Sequence, residues 1–249
     1  MIKNKTILCS LKISLLGCLL MLNACEKGNE EYDTEINSIN KIMPLGGSRV
    51  EGATPYYESF RYPLWKNLIQ NDWTFDFIGT QSDEGFYPDF NSFNFDNDHE
   101  GRGGWTSGLI LNGVSDWLSE TGSPDIVLFS GPGGNDILNG LDYGQTLLNI
   151  NAIIDLLQAN NANVTILIEQ LAPGLSGFMI PEYTAIFNQN REDILNLANI
   201  QSTENSKVIA VDMYTGFTDN FLADDVHYNE LGAEFIADRY YEVLVEVLE

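Results

Sequence analysis

The sequence predicts a single α/β domain built on a parallel sheet of five strands, starting near residue 41 of the 249-residue chain. From that point, short apolar runs alternate with segments in which apolar residues recur at three- and four-residue steps, as in β-α-β units. The composition is ordinary for a globular domain, with 44% hydrophobic and 19% charged residues. It therefore argues against a disordered chain and against a protein with many membrane spans.

Each predicted strand is a short apolar run bounded by polar or turn-forming residues. The five predicted strands are residues 41–45, 74–80, 125–130, 163–171 and 207–213. Helical periodicity predicts helices at residues 56–70, 106–118, 143–158, 182–199 and 230–248. In the last of these helices, the apolar stripe consists of Leu231, Phe235, Ile236, Val243, Leu244 and Val247.

The N-terminal segment "MIKNKTILCSLKISLLGCLLMLNAC" has three early lysines, an apolar stretch over residues 13–22 and a small residue before Cys25. This pattern predicts an export signal, and the apolar stretch is short for a membrane span. It resembles a bacterial lipoprotein signal, in which Leu22, Ala24 and Cys25 would occupy the lipobox positions and Cys25 would be lipidated. A plain secretory signal or an uncleaved anchor is the alternative.

The predicted organisation is therefore a lipoprotein signal peptide at residues 1–24, an acidic tether at 25–40 and the folded domain at 41–249. All three cysteines lie at or before Cys25, so the domain has no disulfide, thiol nucleophile or cysteine metal site. We expect an exported lipoprotein, periplasmic or on the cell surface, that reaches the membrane through a lipid anchor at Cys25.

The charge is strongly acidic, with 12 basic and 36 acidic residues and a net charge of −24. Such a surface repels the phosphates of nucleic acids, so a nucleic-acid partner is disfavoured.

The segments that follow the strands should carry the function, because ligands of open α/β sheets bind beyond the carboxyl ends of the strands. The turn "GGSRVEG" after the first strand contains Ser48. Gly-Gly-Ser is common turn chemistry. A serine at a strand-to-helix turn can also present its hydroxyl as a nucleophile, so both interpretations of Ser48 stay open at this point.

His227 is one of only two histidines, and a serine nucleophile needs a base with a pKa near neutrality. Asp224 lies three residues earlier in "ADDVHYN", close enough to fold back onto the imidazole and fix its tautomer. The alternative is an ordinary helix N-terminus in which Asn229 is the cap.

Two glycine-rich segments supply candidate donors for an oxyanion. "GGND" places the side-chain amide of Asn135 at the same sheet edge, and "HEGRGGWT" contains glycines that let a backbone N–H approach a substrate closely. Acyl transfer needs this combination of a nucleophile, an oriented base and donors aimed at the developing negative charge.

Four blocks in this order resemble those of the SGNH hydrolases, the GDSL esterase/lipase superfamily. The blocks are "IMPLGGSRVEG", "HEGRGGWT", "GGND" and "DDVH". The second block has the form found in acetyl xylan esterases and their relatives. The resemblance implies a flavodoxin-like three-layer α/β/α fold with five parallel strands.

Carried over block by block, the resemblance implies a role for each matching residue. Ser48 would be the nucleophile, His227 the base and Asp224 the residue that orients His227. The backbone amides of Ser48 and Gly104 and the side chain of Asn135 would form the oxyanion hole. The resemblance implies no metal and no cofactor. The G-x-S-x-G elbow of α/β-hydrolases is absent, because Val50 follows Ser48 by two residues and Phe178 follows Ser176.

The chain departs from the family pattern at Gly47, where the family has Asp in Gly-Asp-Ser. The loss removes a carboxylate that would brace the turn, but no member of the proposed triad. Arg49 lies in the first block, Arg102 and Trp105 lie in the second, and all three are candidate substrate-binding residues. For the two arginines, a salt bridge to Glu51 or Glu100 is the alternative.

The loop around His99 has two further interpretations. His99 is expected to brace the loop by hydrogen bonds. The acids and amides of "DFNSFNFDNDHE" suggest a calcium loop, but Asn94 stands where that pattern requires glycine, so calcium is not expected.

The sequence thus predicts a serine esterase that removes short acyl groups, acetyl above all, from carbohydrate or a small ester substrate. A lipase or thioesterase for longer acyl chains is one alternative. A glycan-binding pseudoenzyme, suggested by Gly47, is another. The sequence makes no prediction about the oligomeric state.

Overall fold

The computed structural model describes residues 40–83 and 85–248, which belong to one compact unit. The predicted signal peptide, the lipidation site at Cys25 and residues 25–39 of the predicted tether lie outside the described residues. None of the described helices is long and apolar enough to cross a membrane.

The described residues contain six strands and seven α-helices. The strands are β1 (Lys41–Gly46), β2 (Asp76–Phe77), β3 (Glu100–Gly101), β4 (Ile126–Phe129), β5 (Thr165–Gln170) and β6 (Val208–Asp212). The helices are α1 (Ser48–Glu51), α2 (Arg61–Gln70), α3 (Ser107–Thr121), α4 (Gly134–Leu138), α5 (Tyr143–Asn160), α6 (Pro181–Gln201) and α7 (Glu230–Leu244). A 3₁₀ turn, Asp219–Phe221, precedes α7.

All strand pairs in the sheet are parallel, in the order β2-β1-β4-β5-β6. The short β3 pairs with Leu45 and Gly46 at the carboxyl end of β1, while β2 pairs with the start of β1. Without β3, the order is that of the flavodoxin-like doubly wound sheet. The predicted α/β class and flavodoxin-like architecture are therefore confirmed.

Successive strand residues face opposite layers, because side chains alternate across a strand. Ile42, Leu128 and Leu167 pack in one core with apolar residues of α2 and α7. Met43, Val127 and Ile166 pack in the other core with residues of α3, α5 and α6. The result is a three-layer α/β/α sandwich whose strands are buried on both faces.

Several predicted boundaries were wrong. The helix predicted from residue 56 begins at Arg61, because the preceding residues make bridges instead: Ala53 pairs with Tyr57, and the Glu58 N–H donates to the Tyr228 carbonyl. The predicted strand 74–80 is reduced to β2, and β3 and the short helices α1 and α4 were not predicted. The last helix ends at Leu244 and a turn follows it.

Candidate active site

Ser48 is the first residue of α1, directly after the carboxyl end of β1. The Gly47 carbonyl accepts hydrogen bonds from the Val50 and Glu51 N–H groups at 3.0 and 3.1 Å, and the Ser48 carbonyl accepts one from Gly52. These backbone bonds hold the turn without a carboxylate at position 47. The arrangement leaves the Ser48 side chain half-buried at the sheet edge.

Gly47 has a negative φ of −98°, so it is not one of the positive-φ positions that favour glycine. What limits the position is space, since a Cβ on Gly47 would lie 3.0 Å from Nδ2 of Asn135. The Asn135 amide packs so closely against the nucleophile turn that a side chain at position 47 would require the amide to shift.

Ser48, His227 and Asp224 form a continuous hydrogen-bonded chain. Oγ of Ser48 lies 2.8 Å from Nε2 of His227, and Nδ1 of His227 lies 2.8 Å from Oδ2 of Asp224. With the imidazole proton on Nδ1 and donated to the carboxylate, Nε2 is free to accept the serine proton. The structure thus brings together three residues that are as much as 179 positions apart in sequence.

The Asp224 carboxylate also organises its own loop. Oδ1 accepts the backbone N–H groups of Val226 at 2.9 Å and His227 at 2.8 Å. Partial burial raises the pKa of Asp224. The hydrogen bonds from these two N–H groups and the imidazole outweigh burial, so the pKa lies below its usual range. The carboxylate therefore stays ionised and able to stabilise a protonated His227.

The same loop is also an ordinary helix N-terminus, as the alternative interpretation expected, because Asn229 caps α7. Its side chain accepts the Gly232 N–H at 3.0 Å and donates to the carbonyls of Asn220 and Leu222. The helix cap and the Asp224–His227 pair are adjacent, so the cap fixes the loop that carries the pair.

Tyr57 stacks on His227, with ring centroids 4.0 Å apart and an angle of 17° between the planes. This contact was not predicted, since the sequence pattern placed Tyr57 in a helix that in fact begins at Arg61. The stacked ring restricts rotation of the imidazole.

Asn135 is the third residue of the block "GGND" and lies on α4, after a turn built on Gly131 at φ +65° and Gly133 at φ +77°. Nδ2 of Asn135 donates to the Trp105 carbonyl at 2.8 Å. Asp136, which is buried, accepts both the N–H and the hydroxyl of Ser107. These contacts join the "GGND" turn to the "GGWT" segment and to the first residue of α3.

Gly104 lies in that joined segment, is exposed and has φ +74°, a conformation that glycine adopts at little cost. It does not line the cavity shared by Ser48 and Asn135. The structure therefore places Ser48 and Asn135 on one cavity and Gly104 in the adjoining turn.

Arg49 has three carbonyl acceptors: Val226 at 2.8 Å, Ala172 at 3.1 Å and Pro173 at 3.3 Å. The salt bridge to Glu51 that the sequence suggested is replaced by these bonds. The Arg49 guanidinium also lies 4.6 Å from the centre of the Tyr228 ring. Arg49 thereby ties the nucleophile turn to the loop of His227.

Arg102 forms a salt bridge with Glu100 at 2.8 Å and donates a hydrogen bond to Thr80. The salt bridge was one of the two interpretations of Arg102 from the sequence. Its guanidinium lies 4.2 Å from the Trp117 ring centre and 5.2 Å from that of Trp105. Trp105 itself packs against the core. These contacts give Arg102 and Trp105 structural partners, and their part in substrate binding stays a prediction.

His99 is buried, and its Nδ1 accepts the Gly101 N–H at 2.9 Å. Burial, together with the nearby charges of Arg61 and Arg102, lowers the pKa of His99 to about 2, so the ring is neutral. His99 braces the long loop, as expected.

Within residues 40–83 and 85–248, no group of three or more His, Cys, Asp or Glu side chains is placed to hold a metal ion.

Glu169 on β5 is a buried carboxyl that sequence analysis missed. Oε2 accepts the Gly131 N–H at 2.7 Å and Oε1 accepts the Tyr240 hydroxyl at 2.9 Å, while burial raises the pKa of Glu169. An acid within the apolar run "TILIEQ" was the available signal. Through Gly131 it anchors the turn that leads to Asn135.

The cavity beside Ser48 has a volume of about 50 Å³, room for a few water molecules. Leu138, Leu171, Phe187 and Val226 form its apolar walls, and Ser48 and Asn135 lie at its polar side. The arrangement suits a small acyl group whose carbonyl points toward Ser48 and Asn135.

Residues 45–235 match the GDSL-like lipase/acylhydrolase family, and the chain belongs to that family. The resemblance to SGNH hydrolases inferred from the four blocks is thus confirmed. No curated protein matches the chain.

Solved structures with the same fold include several carbohydrate esterases. An acetyl esterase mutant with acetate ion and a carbohydrate esterase family 3 protein from Talaromyces cellulolyticus each have TM-score 0.73 and 25% identity, covering 84% of this chain and 98% of theirs. A family 3 carbohydrate esterase from Clostridium thermocellum has TM-score 0.66 and 28% identity, covering 84% and 96%. Together with the family match, these structures support the assignment of the chain as a carboxylic ester hydrolase.

Proposed function

We propose that the protein is a serine esterase that removes short acyl groups, acetyl above all, from carbohydrate. The observation that carries the proposal is the hydrogen-bonded chain from Ser48 through His227 to Asp224, opening onto a cavity of about 50 Å³. The acetyl esterase and carbohydrate esterases among the similar structures support the substrate class.

In the proposed reaction, Oγ of Ser48 attacks the ester carbonyl while Nε2 of His227 takes the serine proton. Asp224 holds the imidazole through Nδ1 and stabilises the imidazolium. The negative charge on the carbonyl oxygen is bound by the N–H groups of Ser48 and Gly104 and by the Asn135 amide. Since a primary amide has two N–H donors, Asn135 can keep its bond to Trp105 and still donate to the oxyanion.

His227 then returns the proton to the sugar oxygen, and the alcohol leaves. A water molecule, activated by His227, attacks the acyl-serine ester in the second half of the reaction. Carboxylate is released and the serine hydroxyl is restored. None of these steps requires a metal or cofactor.

An acyl-length series tests the proposal. Purified protein is expected to hydrolyse p-nitrophenyl acetate and to lose activity beyond about four carbons, because each excess methylene must fit a cavity of only about 50 Å³. A panel of acetylated glycans, with released acetate as the readout, should identify at least one polysaccharide substrate.

Other outcomes would contradict the proposal. Preference for long acyl chains with no release of acetate from any glycan would indicate a lipase or thioesterase. Glycan binding without hydrolysis of any ester would indicate a pseudoenzyme.

We also propose that the domain is exported and held at a membrane by a lipid on Cys25, in the periplasm or at the cell surface. The support is the sequence of residues 1–40 alone. Metabolic labelling with a radioactive fatty acid should label the wild-type chain and leave the Cys25→Ala variant unlabelled.

A further inference from the structure

Phe187 lies on α6 and is only 4% exposed. It belongs to a small apolar cluster with Ile137 and Leu171 that is separate from the two main cores. Its ring therefore packs beside the candidate active site and away from the helix–sheet interfaces that hold the domain together.

Two cavities meet at this side chain. The first is the cavity of about 50 Å³ that contains Ser48. The second, of about 350 Å³, lies between the segment after β5, α6 and the segment after β6. Among the described residues that line these cavities, Phe187 alone lines both.

Part of the wall of the second cavity is apolar, as a site for an acyl chain requires. Pro173, Met179 and Phe217 supply apolar surface, whereas Arg191 and Asp219 lie at the same cavity as polar groups. The Arg191 guanidinium lies 4.1 Å from the centre of the Tyr214 ring and its Nε donates to the Leu171 carbonyl. The Asp219 carboxylate accepts the N–H and the hydroxyl of Ser176. Both polar groups are thus engaged with the protein, and apolar surface remains for a chain.

We propose that Phe187 is the residue that sets acyl-chain length, by closing the cavity of Ser48 against the second cavity. This inference rests on the proposed function, since it assigns the small cavity to the acyl group. With Phe187 in place, a short acyl group fills the space. When the ring is removed, the two cavities join and a longer chain can extend toward Met179 and Phe217.

The test measures kcat/KM for p-nitrophenyl acetate, butyrate, hexanoate and octanoate with the wild type and Phe187→Ala. We expect the octanoate-to-acetate ratio to rise by about tenfold or more, because one methylene admitted to or excluded from an apolar pocket changes selectivity roughly 10- to 200-fold. Phe187→Val, which leaves a smaller void, should show the same shift to a lesser degree and covers the case in which Phe187→Ala does not fold.

The matched control is Ile194→Ala. Ile194 is fully buried on the same helix, packs in a main core and lines neither cavity. The Ile194→Ala substitution should lower the stability of the protein without changing the octanoate-to-acetate ratio of kcat/KM.

The result distinguishes the two proposals. An unchanged ratio in folded Phe187 variants, or an equal shift in Ile194→Ala, would overturn the role of Phe187 while the wild-type esterase activity stands. A wild type that hydrolyses no acetyl ester would overturn the proposed function itself.

Discussion

Replacing Ser48 by alanine is expected to lower kcat for p-nitrophenyl acetate by about 10⁴-fold or more, which is the scale of loss when a catalytic nucleophile is removed. Without Oγ, no acyl-serine ester can form. Folding should be unaffected, because α1 is held by backbone bonds to the carbonyls of Gly47 and Ser48. Steady-state kinetics and a thermal unfolding curve, recorded together, check both parts of this expectation.

The matched control is Ser176→Ala. Ser176 is an exposed serine whose hydroxyl donates to Asp219, whereas that of Ser48 bonds to His227. It should keep wild-type kcat. Wild-type turnover by Ser48→Ala, or an equal loss in the Ser176 variant, would refute the assignment of Ser48 as nucleophile.

Replacing Asp224 by asparagine should lower kcat by about 10³- to 10⁴-fold, the scale of loss seen when a triad carboxylate becomes an amide. Asparagine keeps an oxygen for the N–H groups of Val226 and His227, so the loop should retain its shape. It cannot neutralise an imidazolium, and its NH₂ group would oppose the proton on Nδ1 of His227. Kinetics across a pH series measures the loss.

Asp225→Asn is the control for this change. It removes the same charge one residue further along the same exposed loop, but the backbone carbonyl of Asp225, not its side chain, contacts Leu175. Its kcat should stay close to wild type. If the two variants behaved alike, a general change of loop charge would explain the loss, and Asp224 would have no specific role.

Much of the site could be predicted because its residues follow strands. Parallel strands end at one sheet edge, so Ser48 after β1 and Asn135 after β4 were expected to approach each other. The pair Asp224 and His227 is local, and its three-residue spacing alone allowed the contact. The apolar runs of β1, β4, β5 and β6 also identified the core strands.

The unpredicted parts depend on contacts that no local pattern encodes. β3 consists of Glu100 and Gly101, and it forms through backbone pairing with Leu45 and Gly46 without any apolar run. Tyr57 reaches His227 only because the chain before α2 makes a bridge to Tyr228 through Glu58.

The role of Arg49 was equally hidden from sequence. Its acceptors Ala172, Pro173 and Val226 lie 123 to 177 residues away, whereas the expected partner Glu51 was two residues away. Charge proximity in sequence favoured an ion pair. In the fold, three carbonyls converge on the guanidinium instead, since buried carbonyl groups need donors.

The central claim is that Ser48 is a nucleophile activated by His227, and covalent trapping tests it most directly. Wild-type protein is treated with a fluorophosphonate, digested and analysed by mass spectrometry, with Ser48→Ala treated in parallel. The account predicts stoichiometric phosphonylation of the peptide containing Ser48 and no adduct in the variant. Phosphonylation of another residue, or active protein that carries no adduct on Ser48, would contradict it.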